Sequence, residues 1–298
     1  MANWQSNLNE IPFGLYEKAL PQELNWEDRL NQARKAGFNF VEMSVDDSDQ
    51  RIARLDWNKK ERSDVREAVD ATGVPIRSMS LSVHRRFPLG SLDSATRKQG
   101  LENLNKAIDL ALDLNLRFIL LAGAENYYQE RTSESKKLFL EAIGKGFERA
   151  SRAGMMLALE NWDIQINSLM KVMEYVKYFN SPWFQAYVDI GNLVFAGMGE
   201  KQLIDELALA RGHIAALHVK DTLPGHLRYI KPGEGKVPFV EAFAKIAEIG
   251  FQGPVVLELW TEEFPNALDL VREAIVFVKE KMQAGWQLHE ERQRTEGD

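Results

Sequence analysis

One unit recurs along the chain and constrains its fold more than any other feature. An amphipathic segment ends in a small residue and a glycine, and a short apolar run follows, as in "RLNQARKAG" before "FNFVEMSV". The same order appears in "VREAVDATG" before "VPIRSMSLS" and in "GFERASRAG" before "MMLALE". Glycine suits the left-handed residue that often ends a helix, because it has no Cβ. Short, continuous apolar runs are typical of parallel strands that are buried on both faces.

The apolar runs predict eight strands with helices between them. We place the strands at 11–16, 38–45, 74–82, 117–123, 155–160, 184–190, 214–219 and 254–260, and a last helix near 266–283. Eight such alternations in 298 residues fit a closed (β/α)8 TIM barrel better than an open, doubly wound sheet. No change in composition divides the chain. We therefore expect an α/β protein of one domain, with the barrel over about 11–284 and a charged, frayed tail over 285–298.

The composition excludes several classes of function. A net charge of −7 argues against a general nucleic-acid or anionic-membrane surface, which would need an excess of basic residues. The chain has no cysteine, so disulfides and thiolate metal ligands are excluded. The first segment, "MANWQSNLNE", lacks the parts of a signal peptide, and no apolar run is long enough to span a membrane. We expect a cytoplasmic protein.

Four consecutive predicted strands, the fifth to the eighth, each end in an acid or an imidazole. These residues are Glu160, Asp189, His218 and Glu258. Taken alone, each would more often be a helix cap, a salt-bridge partner or a core residue. In a barrel, however, the carboxyl ends of all strands meet at one mouth. The four together therefore predict a mixed oxygen and nitrogen site for one divalent ion, namely Mn²⁺, Mg²⁺, Co²⁺ or Zn²⁺.

Several motifs resemble those of a known family. The order "LEN", "DIGN", "HVKDTLPG", "GEG" and "LELW" resembles the xylose-isomerase-like barrels of sugar epimerases and isomerases. More closely, "IPFGLYEKALP", "LSVHRRFPLGS", "YYQE" and "PWFQAYVDIGNL" are similar to the L-ribulose-5-phosphate (L-xylulose-5-phosphate) 3-epimerases of L-ascorbate and pentulose metabolism. The matching segments extend over nearly the whole chain.

The resemblance implies an isomerase in which the same four residues bind the metal and in which Glu160 and Glu258 are also the catalytic acid and base. Epimerisation at C3 of a 2-ketose removes the proton next to the carbonyl, passes through an enediolate and returns a proton to the opposite face. One carboxylate on each face can do this, while a metal bound by the C2 and C3 oxygens stabilises the negative charge.

Three other functions remain to be weighed. A ketose–aldose isomerase acting on a hexulose 6-phosphate or a related ketose phosphate would use the same residues one carbon away, and it is the main alternative. An endonuclease IV-like nuclease would need more histidine ligands and a DNA-binding surface, which five histidines and a charge of −7 do not favour. A sugar-phosphate sensor would not require two glutamates beside a metal.

A sugar phosphate also needs donors for its hydroxyls and its phosphate. Basic residues follow two predicted strands: His84, Arg85 and Arg86 follow the third, and Arg228 and Lys231 follow the seventh, where this fold usually binds phosphate. We predict substrate contacts from His84, Arg85, Arg86 and, in the loop after the seventh strand, from Arg228. The arginine pair could instead bridge to helix acids. In the loop after the seventh strand, glycine amides of the "GEG" motif could cradle an anion.

The predicted mouth contains further polar residues. We predict substrate contacts from Tyr16, Glu17, Asn192 and Lys220. For Glu42 two roles stay open, a hydrogen bond to substrate or a pair with a buried cation. Asp221 either orients a neighbour or forms a salt bridge with Lys220. The expected partner is a small-molecule sugar phosphate, with no nucleic acid and no membrane, and a homodimer is compatible with a family whose barrels often associate.

Overall fold

A computed structural model describes residues 11–127, 129–162 and 165–296. Eight parallel strands close into a barrel in sequence order, because β1 pairs with both β2 and β8. The prediction of a single (β/α)8 barrel is confirmed. The strands are β1 Phe13–Tyr16, β2 Phe40–Val45, β3 Ile76–Leu81, β4 Phe118–Ala122, β5 Met156–Glu160, β6 Phe184–Asp189, β7 Ile214–Val219 and β8 Val255–Leu257.

Helices surround this barrel. The α-helices of the described ranges are α1 Trp26–Ala36, α2 Asp49–Ile52, α3 Lys59–Thr72, α4 Ser94–Asp113, α5 Ser133–Arg152, α6 Leu169–Phe179, α7 Ile190–Phe195, α8 Glu200–Leu209, α9 Phe239–Glu248 and α10 Ala267–Glu296. Short 3₁₀-helices follow β1 at Glu17–Ala19, α2 at Ala53–Asp56 and β3 at Val83–Arg85. In the part of the chain that is described, no helix combines the length and the apolar character that crossing a membrane requires.

The last helix differs from the sequence-based expectation. We expected it to end near 283 and to be followed by a frayed tail, but α10 continues to Glu296. Trp286 is buried in the main core, and a Cβ at Gly285 would lie 2.6 Å from Phe243 of α9. This close helix crossing holds the second half of α10 against the barrel, so the charged sequence beyond it continues an established helix.

The side chains that fill the barrel interior show on which side of the strands the predicted metal ligands lie. A cluster separate from the main core fills it with Tyr16, Phe40, Phe118, Leu120, Ala158, Tyr187, Ala216 and Val256. Side chains two positions apart on a strand face the same side. Each predicted ligand lies two positions after a member of this cluster, namely Glu160 after Ala158, Asp189 after Tyr187, His218 after Ala216 and Glu258 after Val256. The four ligands therefore form the next inward-facing layer, at the carboxyl ends of the strands.

Two glycines of α5 test how closely the outer helices pack. A Cβ at Gly146 would lie 2.2 Å from Leu104 of α4, whereas a Cβ at Gly144 would meet nothing within 4 Å. Alanine in place of a helical glycine stabilises by about 0.5–1 kcal/mol, whereas overpacking a buried contact costs about 1–3 kcal/mol. We expect Gly144→Ala to raise the midpoint of urea unfolding and Gly146→Ala to lower it. The same shift in both variants would show that α4 and α5 do not need this close approach.

Candidate metal centre and active site

Glu160, Asp189, His218 and Glu258 meet at the mouth of the barrel. Each offers one ligand atom, these atoms all lie within 4.8 Å of one another, and all four residues are buried. The first three are on β5, β6 and β7, and Glu258 directly follows β8. The structure thus brings together the whole set that the strand ends predicted.

His218 lies between two groups of carboxylates. Its Nδ1 is 2.9 Å from Oε1 of Glu160 and 3.5 Å from Oε2 of Glu258. Its Nε2 is 2.7 Å from Oε1 of Glu42. Burial alone would lower the pKa of His218, but Glu42 and Glu258 raise it well above its ordinary value. With Nε2 bonded to Glu42, Nδ1 is the nitrogen that faces the other three carboxylates.

Glu42 is the residue whose role the sequence left open. It is fully buried on β2, and its Oε2 accepts hydrogen bonds from the Ser78 hydroxyl at 2.7 Å and the Tyr187 hydroxyl at 2.9 Å. Its other oxygen faces His218. Both oxygens of Glu42 are therefore engaged within the protein. Such a carboxylate fixes the orientation of a histidine ligand and increases its basicity.

Asp189 is held so that one oxygen remains for a ligand. Its Oδ1 accepts the backbone N–H of Asn192 at 2.9 Å and caps α7. The Asn161 side chain bonds both backbone groups of Asp189, at 2.8 Å each. Oδ2 is buried and accepts no well-oriented hydrogen bond among the described residues, although the Lys220 ammonium is 2.6 Å away. Three carboxylates, one of which carries this under-coordinated oxygen, and one imidazole fit a divalent ion.

Lys220 is the buried cation of the site. Its Nζ is 2.6 Å from Oδ2 of Asp189 and 2.5 Å from Oε2 of Glu258, and it lies 5.3 Å from the centre of the Trp260 ring. Burial alone would lower the pKa of Lys220, but the two carboxylates raise it. Burial would raise the pKa of Glu258, but Lys220 and His218 lower it.

The pKa of Glu160 shifts in the opposite direction to that of Glu258. Burial raises its pKa to about 7, and the hydrogen bond with His218 opposes that rise. Glu160 and Glu258 therefore have different proton affinities although both face the same centre. Two such carboxylates can exchange protons with a bound molecule.

Of the predicted substrate contacts, Tyr16 lies at the centre and Asn192 lies beside it. The Tyr16 ring is 5.9 Å from the His218 ring, and its hydroxyl is 3.0 Å from the Ser44 hydroxyl. Asn192 donates from Nδ2 to the carbonyl of Asn161 at 2.9 Å, and its Oδ1 is buried with no hydrogen-bond partner among the described residues. Asn192 thus has one polar atom to offer a ligand.

Three other predicted substrate contacts, Glu17, His84 and Arg86, bond to residues outside the central four. Glu17 is fully buried and bonds the Arg54 guanidinium at 2.5 Å. His84 is buried with Nε2 3.2 Å from the carbonyl of Gly100 on α4, and burial lowers its pKa to about 4. Arg86 is exposed and pairs with Asp49 at 2.5 Å. These contacts lie away from the four central residues. Oε2 of Glu17, however, is buried without a hydrogen-bond partner among the described residues. A substrate contact from Glu17, His84 or Arg86 stays a prediction.

Arg85 lies against the aromatic rings of Trp162 and Tyr127, and Trp162 follows Glu160 by two residues. Its guanidinium carbon is 4.7 Å from the centre of the Trp162 ring and 5.9 Å from that of Tyr127, and the two rings are 4.9 Å apart. Its Nε is buried without a hydrogen-bond partner among the described residues. Arg85 therefore keeps a donor for a ligand, in contrast to Arg86.

The loop after β7 is organised by Asp221. Its Oδ2 accepts the backbone N–H groups of Gly233 at 2.8 Å and Gly235 at 2.9 Å, and its Oδ1 accepts that of Val237 at 3.2 Å. A Cβ at Gly235 would lie 2.1 Å from Oδ1 of Asp221. The "GEG" amides are thus bound by Asp221, so the expectation that they cradle a phosphate is wrong.

The basic residues of this loop lie over aromatic rings. The exposed Arg228 lies 5.3 Å from the centre of the Trp260 ring, which Lys220 also contacts. Lys231 lies 5.5 Å from the centre of the Phe264 ring. The Trp260 ring therefore contacts both the exposed Arg228 and the buried Lys220.

A second cationic cluster lies at the ends of β1 and β2, and the sequence analysis missed it. Lys18 is 2.5 Å and Arg51 3.3 Å from Oδ2 of Asp46, while Arg54 pairs with Glu17. Three cations around two carboxylates leave an excess of positive charge. The only sequence signal is Lys18 next to Tyr16 and Glu17, because Arg51 and Arg54 come from the helical segments after β2.

Comparisons with known proteins agree with this architecture. Residues 30–281 match the family described as the xylose isomerase-like TIM barrel. The chain is 45% identical over 274 residues to the L-ribulose-5-phosphate 3-epimerase UlaE of Escherichia coli O1:K1 / APEC, covering 92% of this chain and 95% of that protein. It is 46% identical, with the same coverage, to the enzyme of that name from Salmonella paratyphi C.

Solved structures share the fold at lower identity. A structure of L-ribulose 3-epimerase superposes with a TM-score of 0.76 and 19% identity, covering 94% of this chain and 97% of that one. D-allulose 3-epimerase from Methylomonas sp. gives a TM-score of 0.73 at 18% identity, covering 91% and 97%. These structures share the fold. The family match over residues 30–281 and the 45% identity over 92% of the chain show that the chain belongs to the xylose isomerase-like TIM-barrel family and, within it, to the L-ribulose-5-phosphate 3-epimerases.

Proposed function

We propose that this protein is a metal-dependent sugar-phosphate epimerase that interconverts L-ribulose 5-phosphate and L-xylulose 5-phosphate by inverting C3. The observation that carries the proposal is the buried set Glu160, Asp189, His218 and Glu258 in a chain 45% identical to enzymes named L-ribulose-5-phosphate 3-epimerase. Among the residues that the structure describes, no contact specifically favours a ketose–aldose isomerase, so that activity enters only as an outcome of the test.

The four residues Glu160, Asp189, His218 and Glu258 would hold one divalent ion, each offering one ligand atom. The chemistry such an ion supplies is stabilisation of the negative charge that develops on the ketose oxygens during deprotonation. Glu42 keeps the His218 ring in the orientation that presents Nδ1, since it bonds Nε2 at 2.7 Å. Tyr16 and Tyr187 pack against that ring, with centroids 5.9 and 4.6 Å away, and restrict its rotation.

Glu160 and Glu258 exchange the proton at C3. One removes the proton next to the carbonyl and the other returns a proton on the opposite face of the planar carbon, so the sugar need not turn over. One carboxyl must carry a proton while the other accepts one. Without a metal, burial holds the pKa of Glu160 above its ordinary value, and Lys220 and His218 hold that of Glu258 below it. A positioned acid or base of this kind contributes roughly 10²–10⁴-fold to rate.

Side chains at the rim hold the sugar phosphate. Arg85, with its free Nε beside Trp162, is one donor for the phosphate, and Arg228 over Trp260 is a second. The cluster of Lys18, Arg51 and Arg54 adds positive charge at the same end of the barrel. Asn192 offers its Oδ1 to a sugar hydroxyl, and Lys220 and Tyr16 line the floor of the site.

On the basis of the similarity to this family, we also propose that the protein is a cytoplasmic homodimer that acts in L-ascorbate degradation.

Proton exchange in D₂O tests the reaction. With Mn²⁺ and L-ribulose 5-phosphate, we expect proton NMR to show deuterium at C3 and formation of L-xylulose 5-phosphate. Glu160→Gln and Glu258→Gln should each lower the exchange rate by at least about 10²-fold, because a glutamine neither takes nor gives the proton.

Two outcomes would contradict the proposal. Exchange at C1 with an aldose product would identify the isomerase instead. Full exchange in either glutamine variant would remove that glutamate from the acid–base pair.

Metal binding tests the centre itself. His218→Ala should lose Mn²⁺ binding in calorimetric titration while circular dichroism remains that of a folded barrel. Glu42→Gln should bind Mn²⁺ roughly 10–100-fold more weakly, because it loses the charged partner of His218. Glu17→Gln is the matched control: it also removes a fully buried carboxylate at the mouth, but one that pairs with Arg54. Equal weakening by both variants would mean that Glu42 acts only through stability.

Substrate preference tests Arg85. Arg85→Met should raise KM for L-ribulose 5-phosphate by roughly 10–100-fold, the value of one charged hydrogen bond, and leave KM for unphosphorylated L-ribulose unchanged. Arg86→Met, at the neighbouring residue that pairs with Asp49, should change neither value. A parallel rise in KM for both sugars would show that Arg85 shapes the pocket and does not bind the phosphate.

A further inference from the structure

Lys220 is built into the site more firmly than a residue that only reaches toward a sugar. Its Nζ contacts Oδ2 of Asp189 at 2.6 Å and Oε2 of Glu258 at 2.5 Å, and the residue is 3% exposed. Its stem passes over Gly191, where a Cβ would lie 2.5 Å from Cγ of Lys220. The ring of Trp260 lies 5.3 Å from the ammonium group. The path of the side chain is thus set along its whole length.

The oxygens that Lys220 contacts are those a metal would need. Oδ1 of Asp189 is committed to the N-terminus of α7, so Oδ2 is the oxygen left for an ion. On Glu258, Oε2 is the oxygen 3.5 Å from Nδ1 of His218. The ammonium group therefore faces the same two atoms that point toward the common centre.

The charges of the site explain why a cation belongs there. Four carboxylates, Glu42, Glu160, Asp189 and Glu258, are buried around His218. Buried charges destabilise a fold unless opposite charges compensate them. The positive charge of Lys220 compensates the negative charges of Asp189 and Glu258 without any bound ion.

We propose that Lys220 is a positioning residue that competes with the divalent ion for Asp189 and Glu258, and that it thereby stabilises the metal-free barrel and limits metal affinity. The inference rests on the metal site of the proposed function but not on the sugar or the reaction. A positive charge next to a dication weakens its binding, and the same charge between two carboxylates holds them in place.

The competition predicts opposite effects from one substitution. Lys220→Met should lower the Tm of the chelator-treated protein, because Asp189 and Glu258 lose their counter-charge. The same variant should bind Mn²⁺ at least about tenfold more tightly than the wild type in calorimetric titration. The rise in Tm on saturation with Mn²⁺ should therefore be larger in the variant. A residue needed only for structure would lower both the Tm and the metal affinity.

Two companion variants make the test specific. Lys18→Met removes another largely buried lysine at the mouth, one that pairs with Asp46, and should lower the Tm with much less change in Mn²⁺ affinity. Lys220→Met combined with Glu258→Gln removes one charge of each sign and should recover part of the lost Tm.

The outcomes separate this inference from the proposed function. Weaker or unchanged Mn²⁺ binding by Lys220→Met would overturn it, whatever the protein does to L-ribulose 5-phosphate. A variant that folds only with Mn²⁺ present would support it, because the ion then replaces the missing charge. A variant that remains unfolded with saturating Mn²⁺ would overturn it. A wild type that binds no Mn²⁺ would overturn both this inference and the metal site.

Discussion

The hydrogen bond between His218 and Glu42 is the interaction on which the rest of the site depends. Glu42 is on β2 and His218 on β7, so the bond crosses the barrel interior. The Ser78 and Tyr187 hydroxyls hold the second oxygen of Glu42 from β3 and β6. One carboxylate thereby links four strands, and the imidazole it orients determines where the three other carboxylates can share a ligand.

Much of this arrangement follows from the sequence. Continuous apolar runs identified the strands, and their number favoured a closed barrel, in which the carboxyl ends of the strands meet, over an open sheet. The alternation of side chains along each strand then placed Glu160, Asp189, His218 and Glu258 together. These steps depend only on local periodicity and one rule of topology, so a single sequence suffices for them. The family resemblance added the reaction and the substrate class.

The contacts around that centre could not be predicted in the same way. Glu42 was visible as an acid in an apolar strand, but its partner is far along the chain, and only the closed barrel brings the two together. His84 and Arg85 are neighbours in sequence, yet one packs toward α4 and the other stacks on Trp162, because a 3₁₀ turn separates their directions. The "GEG" motif is typical of a loop that binds an anion, but in the structure its glycine N–H groups donate to Asp221. Charged residues and glycines in a sequence thus indicate which kinds of contact can form. They do not indicate which residue each of them contacts.

Asp221 also has a consequence for how this barrel can diversify. Its carboxylate binds backbone groups at Gly233, Gly235 and Val237, which lie at the far end of the loop that begins beside it. The segment 223–232 therefore leaves and rejoins the barrel beside one carboxylate, and between these ends the Gly225 N–H also bonds the carbonyl of Phe195 on α7 at 3.1 Å. The ends of this segment are thus fixed by Asp221, whereas its middle reaches the buried Lys220 through Arg228 and the Trp260 ring. Variation in this segment can therefore change what Arg228 presents at the mouth without breaking the backbone bonds that Asp221 accepts.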